Sequence, residues 1–214
     1  RLRLCKQQIR ELIKRDKNHP SVIMWSLANE PLTMQGGFRA FFGGEPTPHP
    51  AAKQFFAELF DLAHELDETR LLTFASMAGI IDESLEYTDV ILINRYAGWY
   101  QESGRINRGI DVLKDELDQI HQKYGNPMII SEFGADTIAG MHSDPPEMWS
   151  EEYQQELIKG YLDLADRTEY LIGLHVWNFA DFKTSQSIMR PLGLNQKGVF
   201  TRDRQPKMAA HMLR

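Results

Sequence analysis

Several features that would narrow the function are missing from this 214-residue sequence. Cys5 is its only cysteine, so no disulfide can form within the chain. The cysteine content therefore favours neither an oxidising nor a reducing compartment. No apolar run is long enough to span a bilayer. No glycine-rich phosphate loop follows a predicted strand, which argues against a nucleotide ligand. The formal net charge of −6 disfavours nucleic acid or an anionic membrane as the main partner.

Metal ligands in a recognisable spacing are also missing. No two histidines stand four residues apart on a predicted helix, and one cysteine cannot build a zinc site. The sequence therefore predicts no metal and no cofactor, and His142 and Asp144 are interpreted as loop residues. The seven histidines are His19, His49, His64, His121, His142, His175 and His211.

The sequence has no signal peptide, and it begins at Arg1 inside a predicted helix. We expect the natural chain to start upstream of Arg1. A cytoplasmic location is the expectation.

Each of two apolar runs is followed by a glutamate at its C-terminal end. Residues 22–28 lead into Asn29-Glu30-Pro31, and residues 128–131 lead into Glu132-Phe133-Gly134. In parallel α/β folds the reacting groups lie at the carboxyl ends of strands. Two carboxyl groups suit glycoside hydrolysis, in which one protonates the leaving oxygen and the other attacks the anomeric carbon or activates water. The alternative is a pair of strand-end glutamates that bind nearby arginines.

Predicted strands alternate with amphipathic helices along the whole sequence, which favours a parallel sheet with right-handed crossovers. A TIM (β/α)₈ barrel needs eight strands and typically ~250 residues, so we predict an α/β barrel fold of which this chain covers roughly strands four to eight. Residues 1–214 then form the C-terminal portion of one catalytic barrel domain. The predicted strands are 21–28, 71–75, 90–96, 128–132 and 171–177. The predicted helices are 3–17, 51–68, one from Ile106 that ends at Gly125 as its C-terminal cap, one from about Ser150, and a short one after Pro206.

Five motifs are spread from the first predicted helix to the last. They are Asn18-His19-Pro20-Ser21, Trp25-Ser26-Leu27-Ala28-Asn29-Glu30-Pro31, Asn94-Arg95-Tyr96, Ser131-Glu132-Phe133-Gly134 and Trp177-Asn178-Phe179-Ala180-Asp181-Phe182. Together they resemble glycoside hydrolase family 2. The resemblance implies a retaining mechanism with Glu30 as general acid/base and Glu132 as nucleophile. It also implies that the Tyr96 hydroxyl contacts the nucleophile. A retaining pair is expected about 5–5.5 Å apart.

The substrate expectation depends on Asn195-Gln196-Lys197, followed by a glycine. This segment resembles the Asn-x-Lys motif that binds the C6 carboxylate in the family members acting on β-D-glucuronides. The resemblance implies hydrolysis of β-D-glucuronides to glucuronate and aglycone by double displacement. Arg190 is a second candidate cation, although its loop is one residue longer than the bacterial pattern. Without the family context, a loop lysine is usually a solvated surface charge.

Four more side chains complete the predicted substrate site. Asn29 is expected to bind the sugar 2-hydroxyl, or it is simply a turn former. The resemblance implies that Trp177 lies beneath the sugar ring and that Trp99 and Tyr100 border the aglycone. Core packing is the alternative for each aromatic residue. The Gly/Pro-rich segment 32–50 is expected to shape access for aglycones or to be a surface loop.

A second class of function stays open at this stage. The chain could be an inactive fragment or a carbohydrate-binding scaffold of a family 2 enzyme that resembles those acting on galactosides or mannosides. Missing barrel strands would leave two sheet edges unpaired, which favours a homo-oligomer. The expected partner is otherwise a small-molecule glucuronide, with neither nucleic acid nor membrane.

Overall fold

The computed structural model describes residues 1–35 and 47–214. The chain divides into two compact units. The first consists of Arg1–Ile93 and Gln119–Met128, and the second of Asn94–Asp118 and Ile129–Arg214.

Parallel strands and two long helices build the first unit. Its elements are α1 (Leu2–Asp16), β1 (Met24–Asn29), β2 (Met34–Gln35), β3 (Thr47–Pro48), α2 (Ala52–Leu66), β4 (Leu71–Ser76) and β5 (Ile91–Asn94), whose last residue belongs to the second unit. The strand order is β1-β4-β5, and both pairings are parallel. A short antiparallel pair, β2 with β3, flanks residues 36–46, so most of the predicted access loop lies outside the described residues.

Helix α2 and strand β4 form the core of this unit. The Phe56 ring stacks on Phe74 at a centroid distance of 4.6 Å, and Phe60 meets Phe74 edge-on at 6.2 Å. All three side chains are at most 3% exposed. Each such burial contributes roughly 1.5–3 kcal/mol, so packing fixes the helix against the sheet.

The connection between β4 and β5 is more structured than the sequence indicates. Two 3₁₀ helices, Gly79–Ile81 and Glu83–Tyr87, fill a segment in which the sequence predicts neither a helix nor a strand. Asp82 joins them: its carboxylate accepts hydrogen bonds from the Ser84 amide at 3.1 Å and the Ser76 hydroxyl at 2.6 Å. These short helices have too few residues for a detectable hydrophobic period.

Asp67 ends α2 and holds the start of the next strand. Its carboxylate accepts hydrogen bonds from the Thr69 hydroxyl at 2.5 Å, the Trp25 indole at 2.9 Å and Arg70 at 2.7 Å. The Thr69 contact first, and then those from Trp25 and Arg70, hold the pKa of Asp67 well below its usual value. The ionised form is therefore stabilised by folding.

Replacing Asp67 with asparagine is expected to lower the free energy of unfolding of the full-length protein by about 1–3 kcal/mol at pH 7. A lowered pKa stabilises the fold above the unfolded value of about 4, and this contribution is lost as the pH falls below it. The difference between wild type and variant should therefore narrow between pH 5 and pH 3, measured by denaturant unfolding. The exposed neighbour Glu68 is the control, because Glu68→Gln should change stability by less than about 0.5 kcal/mol. A difference that does not depend on pH would contradict the assignment.

The second unit carries the remaining strands and helices. Its elements are α3 (Ile106–Tyr124), with its last six residues in the first unit, β6 (Met128–Phe133), which begins there, α4 (Glu151–Asp166), β7 (Leu171–Val176), β8 (Phe182–Lys183), β9 (Leu194–Asn195) and α5 (Met208–Met212). Strand β6 lies beside β7, and β8 pairs antiparallel with β9. Ser150 caps α4, because its hydroxyl accepts a hydrogen bond from the Tyr153 amide at 3.1 Å.

The five predicted strands correspond to β1, β4, β5, β6 and β7, and no strand end is shifted by more than three residues. The prediction that Tyr96 ends a strand is wrong: β5 stops at Asn94. The Tyr96 carbonyl instead accepts hydrogen bonds from the amides of Trp99 and Tyr100, both at 2.9 Å, because the chain turns there. Trp177 likewise follows β7 rather than ending it. No helix in the described ranges is long and apolar enough to cross a membrane.

Candidate active site

Tyr96 and Glu132 form the first part of the site, within the second unit. Glu132 is the next-to-last residue of β6, and its carbonyl accepts a hydrogen bond from the Arg95 amide at 2.8 Å. Because of this backbone contact, Tyr96, the next residue, lies level with the Glu132 carboxylate. The Tyr96 hydroxyl donates to Oε2 of Glu132 at 2.7 Å. A donor to one carboxylate oxygen favours the ionised form that a nucleophile needs.

Two buried tyrosines of helix α4 hold the loop that carries Tyr96. The Tyr161 hydroxyl donates to the Ala97 carbonyl at 3.0 Å, and the Tyr153 hydroxyl donates to the Gly98 carbonyl. Both tyrosines are at most 2% exposed. Burial raises the pKa of Tyr161, so its hydroxyl stays a donor. The loop is therefore fixed by the helix behind it.

Close backbone contact explains the glycine that follows Glu132-Phe133. Gly134 has φ 154°, and a Cβ atom there would lie 2.3 Å from the Trp177 carbonyl oxygen. The Trp177 amide in turn donates to the Phe133 carbonyl at 2.8 Å. A side chain at Gly134 would push the residues after β6 and β7 apart, so the glycine keeps them together.

A second part of the site surrounds the ammonium group of Lys197; we call Tyr100, Asp136, Arg190 and Lys197 the Lys197 cluster. Lys197 forms an ion pair with Asp136, and each side chain is only 1% exposed. Its ammonium also donates to the Tyr100 hydroxyl at 2.8 Å. Arg190 reaches the same two groups, with 3.2 Å to the Tyr100 hydroxyl and 3.5 Å to the Asp136 carboxylate.

Aromatic rings form the walls around this ammonium group. It lies 4.6 Å from the ring centroid of Tyr100 and 5.5 Å from those of Tyr96 and Trp99. These distances are typical of cation–π contacts. The rings of Tyr96 and Tyr100 are 5.2 Å apart, so the Lys197 cluster is continuous with the Tyr96–Glu132 pair.

Asn195 and Gln154 fix the backbone of Lys197. Asn195 Oδ1 accepts a hydrogen bond from the Lys197 amide at 3.1 Å, and Gln154 donates to the Lys197 carbonyl at 3.2 Å. Both side chains are at most 5% exposed. The Asn195 oxygen is thus engaged within the protein, and its amide NH₂ is the part suited to donate to a ligand.

The two tryptophans predicted to line the pocket have different surroundings. Trp99 is 4% exposed and packs edge-on against Trp149 at 5.1 Å. It therefore forms part of the core and also lies against the Lys197 ammonium. Trp177 is half-buried and meets the Phe182 ring at 6.0 Å.

Glu30 and Asn29 belong to the first unit. Asn29 is the last residue of β1, and Glu30 follows with φ 48°, in the left-handed region that residues other than glycine rarely adopt. The Glu30 amide donates to the Ala75 carbonyl of β4 at 2.9 Å. Strained backbone of this kind is concentrated at functional sites, which fits the predicted role of the carboxyl group.

The second unit contains another buried lysine, with a different environment. Lys207 is fully buried, pairs with Asp181 at 3.0 Å and donates to the carbonyls of Thr137 and Gln196. Burial raises the pKa of Asp181 and lowers that of Lys207. All three of these partners lie within the fold, so this lysine is structural. Across residues 1–35 and 47–214, no group of three or more His, Cys, Asp or Glu could hold a metal ion.

The comparisons with known proteins agree with this geometry. The sequence model described as Glycosyl hydrolases family 2, TIM barrel domain, matches residues 1–214. A β-glucuronidase from Paenibacillus borealis is 47% identical over 206 residues, which cover 95% of this chain and 32% of that protein. The structure of β-D-glucuronidase for Dictyoglomus thermophilum has a TM-score of 0.88 and 46% identity, covering 99% of this chain and 34% of that one. The Ruminococcus gnavus β-glucuronidase in complex with D-glucuronic acid has a TM-score of 0.86 and 41% identity, with 99% and 35% covered.

The chain belongs to glycosyl hydrolases family 2, and its fold is that of the family's TIM barrel domain. Both the family and the fold predicted from the sequence are thus confirmed. The chain spans about a third of the length of the relatives that it matches.

Sequence reasoning missed Asp136, the buried partner of Lys197. The residue stands four positions after Glu132, and its partner is 61 residues further along the chain. One signal was available: a lysine predicted in a substrate pocket needs an anionic partner when it is buried. The strand-end loop after Glu132 was the place to look for that carboxylate.

Proposed function

We propose that the protein is a retaining β-glucuronidase that hydrolyses β-D-glucuronides to glucuronate and aglycone. One observation carries the proposal: a hydrogen-bonded Tyr96–Glu132 pair is continuous with the Lys197 cluster, which contains a buried lysine and a partly exposed arginine. The first group suits attack on a sugar, and the second suits an anionic substituent of that sugar.

The proposed reaction has two displacements at the anomeric carbon. The Glu132 carboxylate attacks this carbon while Glu30 donates its proton to the glycosidic oxygen, so the aglycone leaves as an alcohol or phenol. Water then attacks the glycosyl-enzyme ester as Glu30 takes one of its protons, and the Glu132 carboxylate is released. Two inversions give net retention. Tyr96 holds Glu132 by its hydrogen bond, and Asn29 is proposed to bind the sugar 2-hydroxyl.

The net charge of the Lys197 cluster supports the substrate assignment. Lys197 and Arg190 contribute two positive charges and Asp136 one negative charge, which leaves one positive charge for one carboxylate. The Tyr100 hydroxyl accepts hydrogen bonds from both cations, so its own proton is available for another acceptor. Asn195, Lys197 and Arg190 are therefore the proposed ligands of the C6 carboxylate. Tyr100, which the family resemblance places at the aglycone, is proposed to bind this carboxylate instead.

The remaining aromatic residues are assigned by position. Trp177 is proposed to lie beneath the sugar ring, and Trp99 is proposed to act by supporting Lys197 and Tyr100. The Ruminococcus gnavus relative was solved with D-glucuronic acid bound, which supports this substrate class. A carbohydrate-binding scaffold without activity is not favoured, because the matched relatives are named as β-glucuronidases.

Two further expectations are part of the proposal. We propose that the full-length protein is a homo-oligomer and that it acts in the cytoplasm. Light scattering during size-exclusion chromatography tests the first, and fractionation of the source cells tests the second.

Turnover by the full-length protein tests the proposed activity. The 4-nitrophenyl β-D-glucuronide should be hydrolysed far faster than the matching glucoside, galactoside and mannoside. Proton NMR should show the β-anomer of glucuronate first, since retention forms it before mutarotation. Equal rates on the acidic and neutral sugars, or the α-anomer first, would contradict the proposal.

Replacing Lys197 with alanine should selectively impair glucuronide hydrolysis. A hydrogen bond to a charged group contributes roughly 1.5–3 kcal/mol, so kcat/KM for the glucuronide should fall at least tenfold. Trace activity on the neutral glucoside should stay nearly unchanged, because that sugar has no C6 carboxylate. Both values are measured with 4-nitrophenyl substrates on the full-length protein.

Lys207→Ala is the matched control, since Lys207 is equally buried and also paired with an aspartate. It should lower the melting temperature and reduce both activities in the same proportion. If Lys197→Ala behaves in the same way, Lys197 is structural and the substrate class is not glucuronides.

A further inference from the structure

We infer that Asp136 is a positioning residue for carboxylate recognition: it holds Lys197 and Arg190 in place for the C6 carboxylate of the substrate. This inference rests on the proposed glucuronidase function and assigns a specificity role within that site.

Both carboxylate oxygens of Asp136 are in use as acceptors. Oδ1 accepts a hydrogen bond from the Gln196 amide at 2.9 Å. Oδ2 is shared by the ammonium of Lys197 and the guanidinium of Arg190. A single buried carboxylate therefore ties the backbone before Lys197 to both cationic side chains.

Because this ion pair is buried, each partner depends on the other. The Asp136 and Lys197 side chains are each 1% exposed, so water cannot replace a lost contact at either one. Tyr100 completes a four-membered arrangement, because its hydroxyl accepts hydrogen bonds from the same two cations. Removing the aspartate would leave two neighbouring cations with only a neutral hydroxyl between them.

Asparagine cannot replace the aspartate without loss of a contact. Its side chain has almost the same shape but only one acceptor oxygen. If that oxygen faces the Gln196 amide, the NH₂ group faces Lys197 and Arg190, which are donors. If it faces the cations, the NH₂ group meets the Gln196 N–H. Either orientation displaces one of the groups that Asp136 holds.

The test is Asp136→Asn in the full-length protein, assayed with the 4-nitrophenyl glucuronide and the matching glucoside. The KM for the glucuronide is expected to rise at least tenfold, with kcat changed less than threefold. The glucoside kcat/KM should change less than twofold. Inhibition by free D-glucuronate should weaken by the same factor as the glucuronide KM rises, while inhibition by glucose should not change.

The matched control is Asp181→Asn, which unpairs the other buried lysine of this unit, Lys207. It should lower the melting temperature and leave the glucuronide-to-glucoside ratio as in the wild type. Equal losses on both substrates in Asp136→Asn would show a structural role and overturn the inference. An unchanged or lower glucuronide KM would also overturn it, because Asp136 would then only oppose the substrate's charge.

A double variant keeps the inference testable if Asp136→Asn fails to fold. Asp136→Asn combined with Lys197→Met removes both charges, and neutral replacement of a buried pair is usually tolerated. If Asp136 acts through Lys197, the double variant should fold and match the selectivity of Lys197→Met alone. Additive losses of selectivity would overturn the inference.

Failure of the proposed function would look different. A wild-type protein that does not prefer the glucuronide refutes the glucuronidase assignment itself. A selective wild type with an equally selective Asp136→Asn variant refutes only the role of Asp136.

Discussion

Replacing Glu132 with alanine in the full-length protein is expected to reduce turnover of every glucuronide by about 10⁴-fold or more, as loss of a nucleophile does in other enzymes. Without this carboxylate no glycosyl-enzyme ester can form, whatever the leaving group. The Tyr96 hydroxyl that donates to Glu132 at 2.7 Å would also lose its acceptor. The loss is measured from initial rates with activated and unactivated aryl glucuronides. Mass spectrometry of the wild type should detect the glycosyl-enzyme ester.

Glu152→Ala is the control for Glu132→Ala. Glu152 is a glutamate of the same unit that binds the exposed His142 at 2.7 Å. Its replacement should change turnover less than threefold. Substantial hydrolysis by Glu132→Ala would show that another group attacks the sugar.

Replacing Glu30 with alanine should give a loss that depends on the leaving group. A general acid typically contributes about 10²–10⁴-fold, and only poor leaving groups need the proton. Alkyl glucuronides should therefore lose about 10²-fold or more in kcat/KM, whereas 2,4-dinitrophenyl glucuronide should lose less than about tenfold. The slope of log kcat/KM against leaving-group pKa is the measurement.

Glu58→Ala serves as the control for Glu30→Ala, since Glu58 is a glutamate of the same unit that pairs with Lys6 on the surface of α1 and α2. It should leave the slope as in the wild type. If Glu30→Ala harms all leaving groups equally, the roles of Glu30 and Glu132 are assigned wrongly.

Apolar runs made the strands predictable. The segments before Glu30 and Glu132 have enough β-branched and aliphatic residues to indicate buried strands. The exact strand ends were not predictable, because they depend on contacts far along the chain. Tyr96 leaves its strand because its carbonyl accepts hydrogen bonds from two later amides, and no local pattern encodes that turn.

Site residues that belong to one short motif could be predicted from the sequence. Residues whose role depends on a partner far along the chain could not. Asn195 and Lys197 stand two residues apart, so one motif indicates both. Asp136 gives no such signal, because its importance comes from an ion pair across 61 residues. The spacing of the Glu30 and Glu132 carboxyl groups stays a prediction.

The two tyrosine hydroxyls that bind the loop after β5 have a consequence for catalysis. The buried hydroxyls of Tyr153 and Tyr161, both in helix α4, donate to the Gly98 and Ala97 carbonyls, so the neighbouring Tyr96 is oriented when the protein folds. The Tyr96–Glu132 pair is in this sense preorganised: no loop closure is needed to bring the phenol to the Glu132 carboxylate. Amide hydrogen exchange in this loop should accordingly be as slow with an empty site as with D-glucuronate bound.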